Sequence, residues 1–181
     1  SHRNCFYFGY DLYMLTASDS ANDLPVFPFL GPASRHDSHG FLYNWFSMKL
    51  FLPEANVTKL ILDSAHDAMP YYDYCKANGI TPFIDLNWKY DRNVHLVLED
   101  NPRLINNPLR GSEKWKLEFN ARTSAERCNK REKIDYKLED GRYRSSMMWY
   151  CRLFAIMMCQ HHDAWSLPKS SPLKELFEQA A

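Results

Sequence analysis

Phe119-Asn-Ala-Arg122-Thr-Ser-Ala-Glu126-Arg-Cys-Asn-Lys130-Arg-Glu-Lys133 has no Pro or Gly and is rich in Ala, Arg, Lys and Glu. These residue types favour a helix, and the stretch is predicted as one continuous helix. At about 3.6 residues per turn, Arg122, Glu126, Lys130 and Lys133 recur at spacings of four, four and three and share one side. One carboxylate is then held among three cations on a rigid element. Such a carboxylate can ligate a metal while its neighbours grip phosphates. The alternative is a surface helix laced with salt bridges, so the rest of the chain has to decide.

Upstream, Phe6 to Thr16 is aromatic and partly alternating, which predicts a strand, and Ser18 to Asp23 is turn chemistry. Leu24 to Gly31 predicts a second strand, which Pro25 and Pro28 place at a sheet edge, so the pair forms a hairpin. Pro32 to Ser38 is a loop ending in N-cap residues. A helix follows over Gly40 to Leu52, and Pro53 stops it. Val57 to Asp63 is a short apolar run typical of a buried central strand, and it ends on a carboxylate. Ala68 to Asn78 predicts a helix with Pro70 in its first turn and Gly79 as its stop. Ile80 to Leu86 is a third strand of the buried type, Val94 to Leu98 is a candidate strand, and Asn101 to Gly111 is turn-rich. The opening helix closes near Asp140-Gly141. A last helix over Ser145 to Trp165 carries Met147, Met148, Trp149, Leu153, Phe154, Ile156, Met157 and Met158, for which core packing is expected. Residues 1–165 thus read as one domain and 166–181 as a tail.

The length of 181 residues suits one domain with a real core, and 45% hydrophobic with 15% aromatic content excludes a disordered chain. Net charge is zero but unevenly spread. Residues 103–152 hold 13 Lys/Arg against 7 Asp/Glu, whereas residues 1–102 hold 7 against 12. An acidic half suited to cations precedes a basic half suited to phosphates. The five cysteines are odd in number and form no CxxC pair, which predicts free thiols in a reducing cytoplasm. No apolar run approaches the ~20 residues of a membrane span, and no signal peptide opens the chain. A start at Ser1 without Met reads as the middle of a longer protein.

His36, His39 and His66, near Asp37 and Asp67, lack zinc-ligand spacing and read as polar loop residues. Asp67 reads as the N-cap of the Ala68 helix, and His161-His162 as surface. Trp115 and Trp149 are assigned to the core rather than to base stacking. Neither a Gly-rich phosphate loop nor a Ser nucleophile elbow is present.

The spacing of Arg122, Glu126 and Lys133 resembles the Y(2)R(3)E(6)K block of bacterial insertion-sequence transposases of the DDE type. Phe119 stands at the Tyr position, keeping the ring and losing the hydroxyl. Gly9-Tyr10, Leu24-Pro25 and Gly31-Pro-Ala-Ser-Arg-His-Asp37-Ser38 are similar to the family's GY(K)…LP…HDS track, with Asp11 where a basic residue is common. Leu60-Ile-Leu-Asp63 resembles the strand that carries the second Asp of the triad. The likeness covers roughly residues 6–160. It implies an α/β fold, an RNase H-like mixed sheet flanked by helices, and DNA transposition as the function.

The resemblance makes Asp63 and Glu126 the catalytic, metal-holding pair, with Mg²⁺ (or Mn²⁺) as cofactor. A carboxylate at the C-terminal end of a central strand suits that role independently, because α/β sheets bind ligands there. Two such ions, about 3.5–4 Å apart, clamp the attacking and leaving oxygens of phosphoryl transfer. Arg122, Lys133 and Lys130 are expected to bind DNA phosphates; for Arg127 and Arg131 helix solvation is the better assignment. The expected partner is double-stranded DNA, with a homodimer in the DNA complex, no membrane, and a nucleoid-associated cytoplasmic location. The first Asp of the triad belongs to a central strand upstream of the hairpin, which this sequence lacks. Asp11, Asp19 and Asp23 lie on or between the wrong strands. The chain is therefore expected to leave a gap between the hairpin and the Val57 strand, and to be catalytically incomplete alone. The rival expectations are an inactive remnant that only binds DNA, and a nuclease on the same fold.

Overall fold

Tyr10–Ala17 (β1) and Leu24–Pro32 (β2) form the predicted antiparallel hairpin, with a register shift between Leu15 and Thr16. The structure is a computed structural model in which residues 9–33, 37–87 and 108–166 are described. Phe6 to Phe8, the candidate strand Val94 to Leu98, most of the turn-rich 101–111 stretch and most of the tail lie outside them.

The prolines of β2 fix which groups of the hairpin pair. Pro32 stands opposite Tyr10 and Pro28 opposite Met14. Without N–H groups they occupy the positions whose backbone points away from β1. In agreement, Ala33 N–H donates to the Gly9 carbonyl at 3.0 Å, and Leu30 N–H donates outward to the Tyr150 hydroxyl at 2.9 Å. Asp11, Tyr13 and Leu15 therefore exchange hydrogen bonds with β2, while Tyr10, Leu12 and Met14 point theirs to the opposite edge.

Helix α1 (Asp37–Phe51) starts earlier than predicted and ends before Pro53. Its Phe41, Trp45 and Met48 are buried at helical spacing. Between them, buried Asn44 donates to the carbonyls of Tyr13 (2.8 Å) and Phe27 (3.2 Å), tying both hairpin strands to the helix. Gly40 lies against Tyr13, whose ring a Cβ would strike.

Lys59–Leu62 (β3) pairs in parallel with Thr81–Ile84 (β4), joined by helix α2 (Met69–Ala77). Pro70 opens α2 and Gly79, at φ +68°, follows its end, as their chemistry requires. The two pairs are separate two-stranded sheets. Among the described residues β1 has β2, and β3 has β4, as its only hydrogen-bonded neighbour.

The continuous helix expected over 119–133 is broken. Helix α3 (Glu113–Asn120) ends at a turn through Ala121 and Arg122, and α4 (Thr123–Lys130) begins anew before widening into a π turn over Arg131–Asp135. The cause is anchorage on different elements. Buried Trp115 of α3 stacks on Phe119 (4.7 Å) and leans on Phe83 of β4, whereas α4 buries Ser124 and Cys128 and packs on β1. The joint uses i→i+3 hydrogen bonds, Arg122 N–H to Phe119 O at 3.0 Å and Ala125 N–H to Arg122 O at 3.1 Å.

Helix α5 (Ser146–Trp165) is capped by Ser145, whose hydroxyl accepts from Met148 N–H. It buries Leu153, Ile156, Met157 and Gln160. Core packing fails for Met147, Met148, Phe154 and Met158, which are exposed because one helix buries only one stripe against β2. The observed class is mixed α/β, small sheets flanked by helices. No helix among the described residues is long and apolar enough to cross a membrane.

Candidate functional site

Asp63 is the first residue after β3 and caps a short 3₁₀ turn over Ser64–His66. Its Oδ1 accepts from Ala65 N–H at 3.1 Å and lies 2.7 Å from Nδ1 of His66. His66 was assigned to a polar loop; instead it is buried, edge-on to Phe41 and Tyr71. The imidazole thereby orients the carboxylate from below while the Asp63 side chain stays 54% exposed. Asp67 does not cap α2, whose N-cap Ala68 has no side-chain bond. It accepts from the Tyr72 hydroxyl (3.0 Å) and Asn87 N–H (2.8 Å), bracing the far end of β4.

Glu126 sits in the first turn of α4, 60% exposed, and pairs with Arg122 at 3.0 Å, so the i,i+4 relation survives the helix break. Arg122 also lies over the Phe119 ring at 6.0 Å. The π turn alters the other expected neighbour. Tyr136 N–H bonds to Arg131 O, five residues back, and Lys133 pairs with Glu139 at 2.7 Å rather than with Glu126. Lys130 is exposed.

Asp63, Glu126, Arg122 and Lys133 line one cavity of 1420 Å³ between β1 and β3. Asp11 and Asp19 line it too; Lys130 does not. Among the described residues no three of His, Cys, Asp and Glu come together as a metal-holding group. The two carboxylates are hard-oxygen donors, the type Mg²⁺ or Mn²⁺ prefers, and Mg²⁺ completes its shell with water and phosphate oxygens. Asp63 and Glu126 are of the chemical type that can hold such an ion; Asp63 is already engaged by Ala65 N–H and His66, and Glu126 by Arg122.

Arg127 and Arg131, expected to be solvated on the helix surface, instead reach the hairpin turn. Arg127 holds buried Asp23 in a fork, Nε to Oδ2 at 2.6 Å and Nη2 to Oδ1 at 2.7 Å, and Arg131 reaches the Asn22 and Asp23 carbonyls. The Arg127 hydrogen bond holds the Asp23 carboxyl below its usual range, against the opposing pull of burial. Asp23 adopts φ +47° just before β2, so this pair locks the hairpin turn to α4. Its only sequence signal was a turn-type residue. Also unforeseen, Glu132 is buried in the π turn beside Cys128 and Gln160. Burial pushes its carboxyl pKa up and pushes the Cys128 thiol up to about 12, so that thiol is no nucleophile near neutral pH. His161, expected at the surface, is half-buried with Nε2 2.8 Å from the Pro25 carbonyl. No family model, no curated protein and no solved structure matches this chain.

Proposed function

We propose that this chain carries part of the catalytic centre of a DDE-type DNA transposase with an RNase H-like fold, acting on the ends of an insertion element. The observation that supports it is a conjunction. The Arg122-Glu126-Lys133 spacing and the strand-terminal Asp63 were singled out separately in sequence, and all four residues line one cleft. Asp63, oriented by His66, and Glu126, paired with Arg122, would hold Mg²⁺ or Mn²⁺. The bound ion would supply Lewis-acid stabilisation of charge on a phosphoryl oxygen. Arg122 and Lys133, with Lys130 beyond the cleft, neutralise and orient backbone phosphates without reading sequence. A reading as a DNA-binding remnant is favoured by one observation: among the described residues no three of His, Cys, Asp and Glu come together as a metal-holding group.

Both readings predict DNA affinity that falls with salt. Cleavage separates them. Incubation of the chain, extended upstream by the Asp-bearing strand that the family resemblance implies, with a supercoiled plasmid bearing the element ends, plus Mg²⁺ or Mn²⁺, should give nicked product that chelator and Glu126→Gln both abolish, with binding retained. Binding without metal-dependent nicking would select the remnant. Nicking that survives Glu126→Gln would sink the site assignment.

A further inference from the structure

We propose that Arg142 and Arg144 form a second phosphate-binding point for duplex DNA, beside the cleft and apart from Arg122 and Lys133. The inference rests on the functional reading for DNA as the ligand, and not for catalysis.

The two arginines stand out by what they lack. Arg127 and Arg131 hold the hairpin turn, Arg122 holds Glu126, and Arg152 donates to the Lys137 carbonyl at 2.5 Å. Arg110 donates to the Tyr72 hydroxyl and lies over the Trp115 ring. Arg142 and Arg144 are exposed and hold no group among the described residues. Nearby acids do not neutralise them. Glu139 is taken by Lys133, Asp140 pairs with neither arginine, and the first turn of α5 holds no acidic residue. Both guanidiniums keep full charge and all their donors for an outside anion.

The segment that carries them is fixed. Its backbone is extended at Gly141 (φ −71°, ψ 131°) and again at Ser145 (φ −120°, ψ 149°), with neither helix nor turn between them. In extended chain alternate residues share a side, so Tyr143 turns one way and Arg142 and Arg144 the other. Tyr143 is the anchor. Its ring meets Trp149 edge-on at 5.3 Å and lies 5.8 Å from the Arg152 guanidinium. It also presses on Gly141 so closely that a Cβ there would strike it. With the backbone already ordered, binding through the two arginines costs little further ordering. Each guanidinium can grip two phosphate oxygens through parallel N–H donors, and a pair on one side suits a repeating phosphate backbone.

The position favours DNA over another polyanion. Tyr143 lines the cleft together with Arg122 and Lys133, so the pair borders the cations already assigned to DNA. Neither Arg142 nor Arg144 lines the cleft itself, so their role does not depend on what fills it.

The test follows the anisotropy of a fluorescein-labelled duplex of mixed sequence, titrated with the chain at several salt concentrations. Each arginine that neutralises a phosphate adds about 0.9 to the steepness of log K against log salt. Arg142→Gln and Arg144→Gln should each lower the slope by about that amount. The double variant should lower it by about 1.8 and lose at least about tenfold in affinity at about 0.1 M salt. Lysine at both positions should restore the slope, since charge sets it. Lys76→Gln, which removes an exposed charge on α2, should leave the slope at the parent's value. All variants should keep the parent's Tm, because these side chains are exposed. Four results would each overturn the proposal. They are a double variant with the parental slope, an equal loss from Lys76→Gln (net charge rather than a site), and no duplex binding by the parent. The fourth is binding to phosphatidylserine vesicles that the double variant loses while its duplex binding is unchanged. The cleavage assay keeps the two readings apart. A lowered slope without nicking sinks catalysis and leaves the arginine pair standing; Glu126-dependent nicking with an unchanged slope does the reverse.

Discussion

Glu132 shows how far one residue departs from what its neighbours in sequence suggest. It lies among Arg131 and Lys133 on the most charged stretch of the chain, yet it is 1% exposed, with Oε2 lacking a hydrogen-bond partner. Burial raises its pKa above the ordinary 4.5; the Gln160 and Cys128 hydrogen bonds and the charges of Arg131 and Lys133 only partly oppose this. The folded chain thus holds this proton more tightly than the unfolded one. The resulting stabilisation is complete below the unfolded pKa and is lost as pH rises through the folded one. Glu132→Gln should therefore gain stability relative to the parent on going from about pH 4 to about pH 8. The gain should be about 1–2 kcal/mol, the scale of an unsatisfied buried polar atom. Chemical denaturation across that range checks it, and a constant difference between the two proteins would contradict it. Asp23 has the opposite sign: its lowered pKa stabilises above the unfolded value and is lost as pH falls through the folded one.

At the scale of elements, composition located the secondary structure and packing decided where it bends and which face it hides. The hairpin, α1, β3, α2, β4 and α5 were all legible, because prolines, glycines, caps and apolar runs act within a few residues. The break at Ala121-Arg122 was not, since nothing local forbids a helix there; α3 is drawn to β4 and α4 to β1. In α5 nearly every apolar residue read as core, yet only one stripe is buried. Leu153→Ala should cost about 2–5 kcal/mol by leaving a cavity. Met158→Gln, at an exposed position, should stay within about 0.5 kcal/mol of the parent. Equal losses in urea melts would mean that both faces of α5 are covered.

At the scale of the molecule, the organising feature among the described residues is a pair of two-stranded sheets that share no hydrogen bonds. Hydrogen exchange should report it along β1. The amides of Leu12 and Met14, directed at the cleft, should exchange at least about tenfold faster than those of Asp11 and Tyr13, which bond to β2. Uniform protection would mean that both edges are paired. The sequence by itself determined the hairpin, α1, β3, α2, β4 and α5, their order, and the residues worth watching, including Asp63 at a strand end and the Arg122–Glu126 pair. These follow from spacing along the chain, which is fixed before folding. Only the tertiary structure decided that Lys133 turns to Glu139, that Arg127 and Arg131 clamp the hairpin turn, and that Asp63 rests on a buried His66. Those partners lie on other turns or elements, and one-dimensional spacing carries no information about which faces meet.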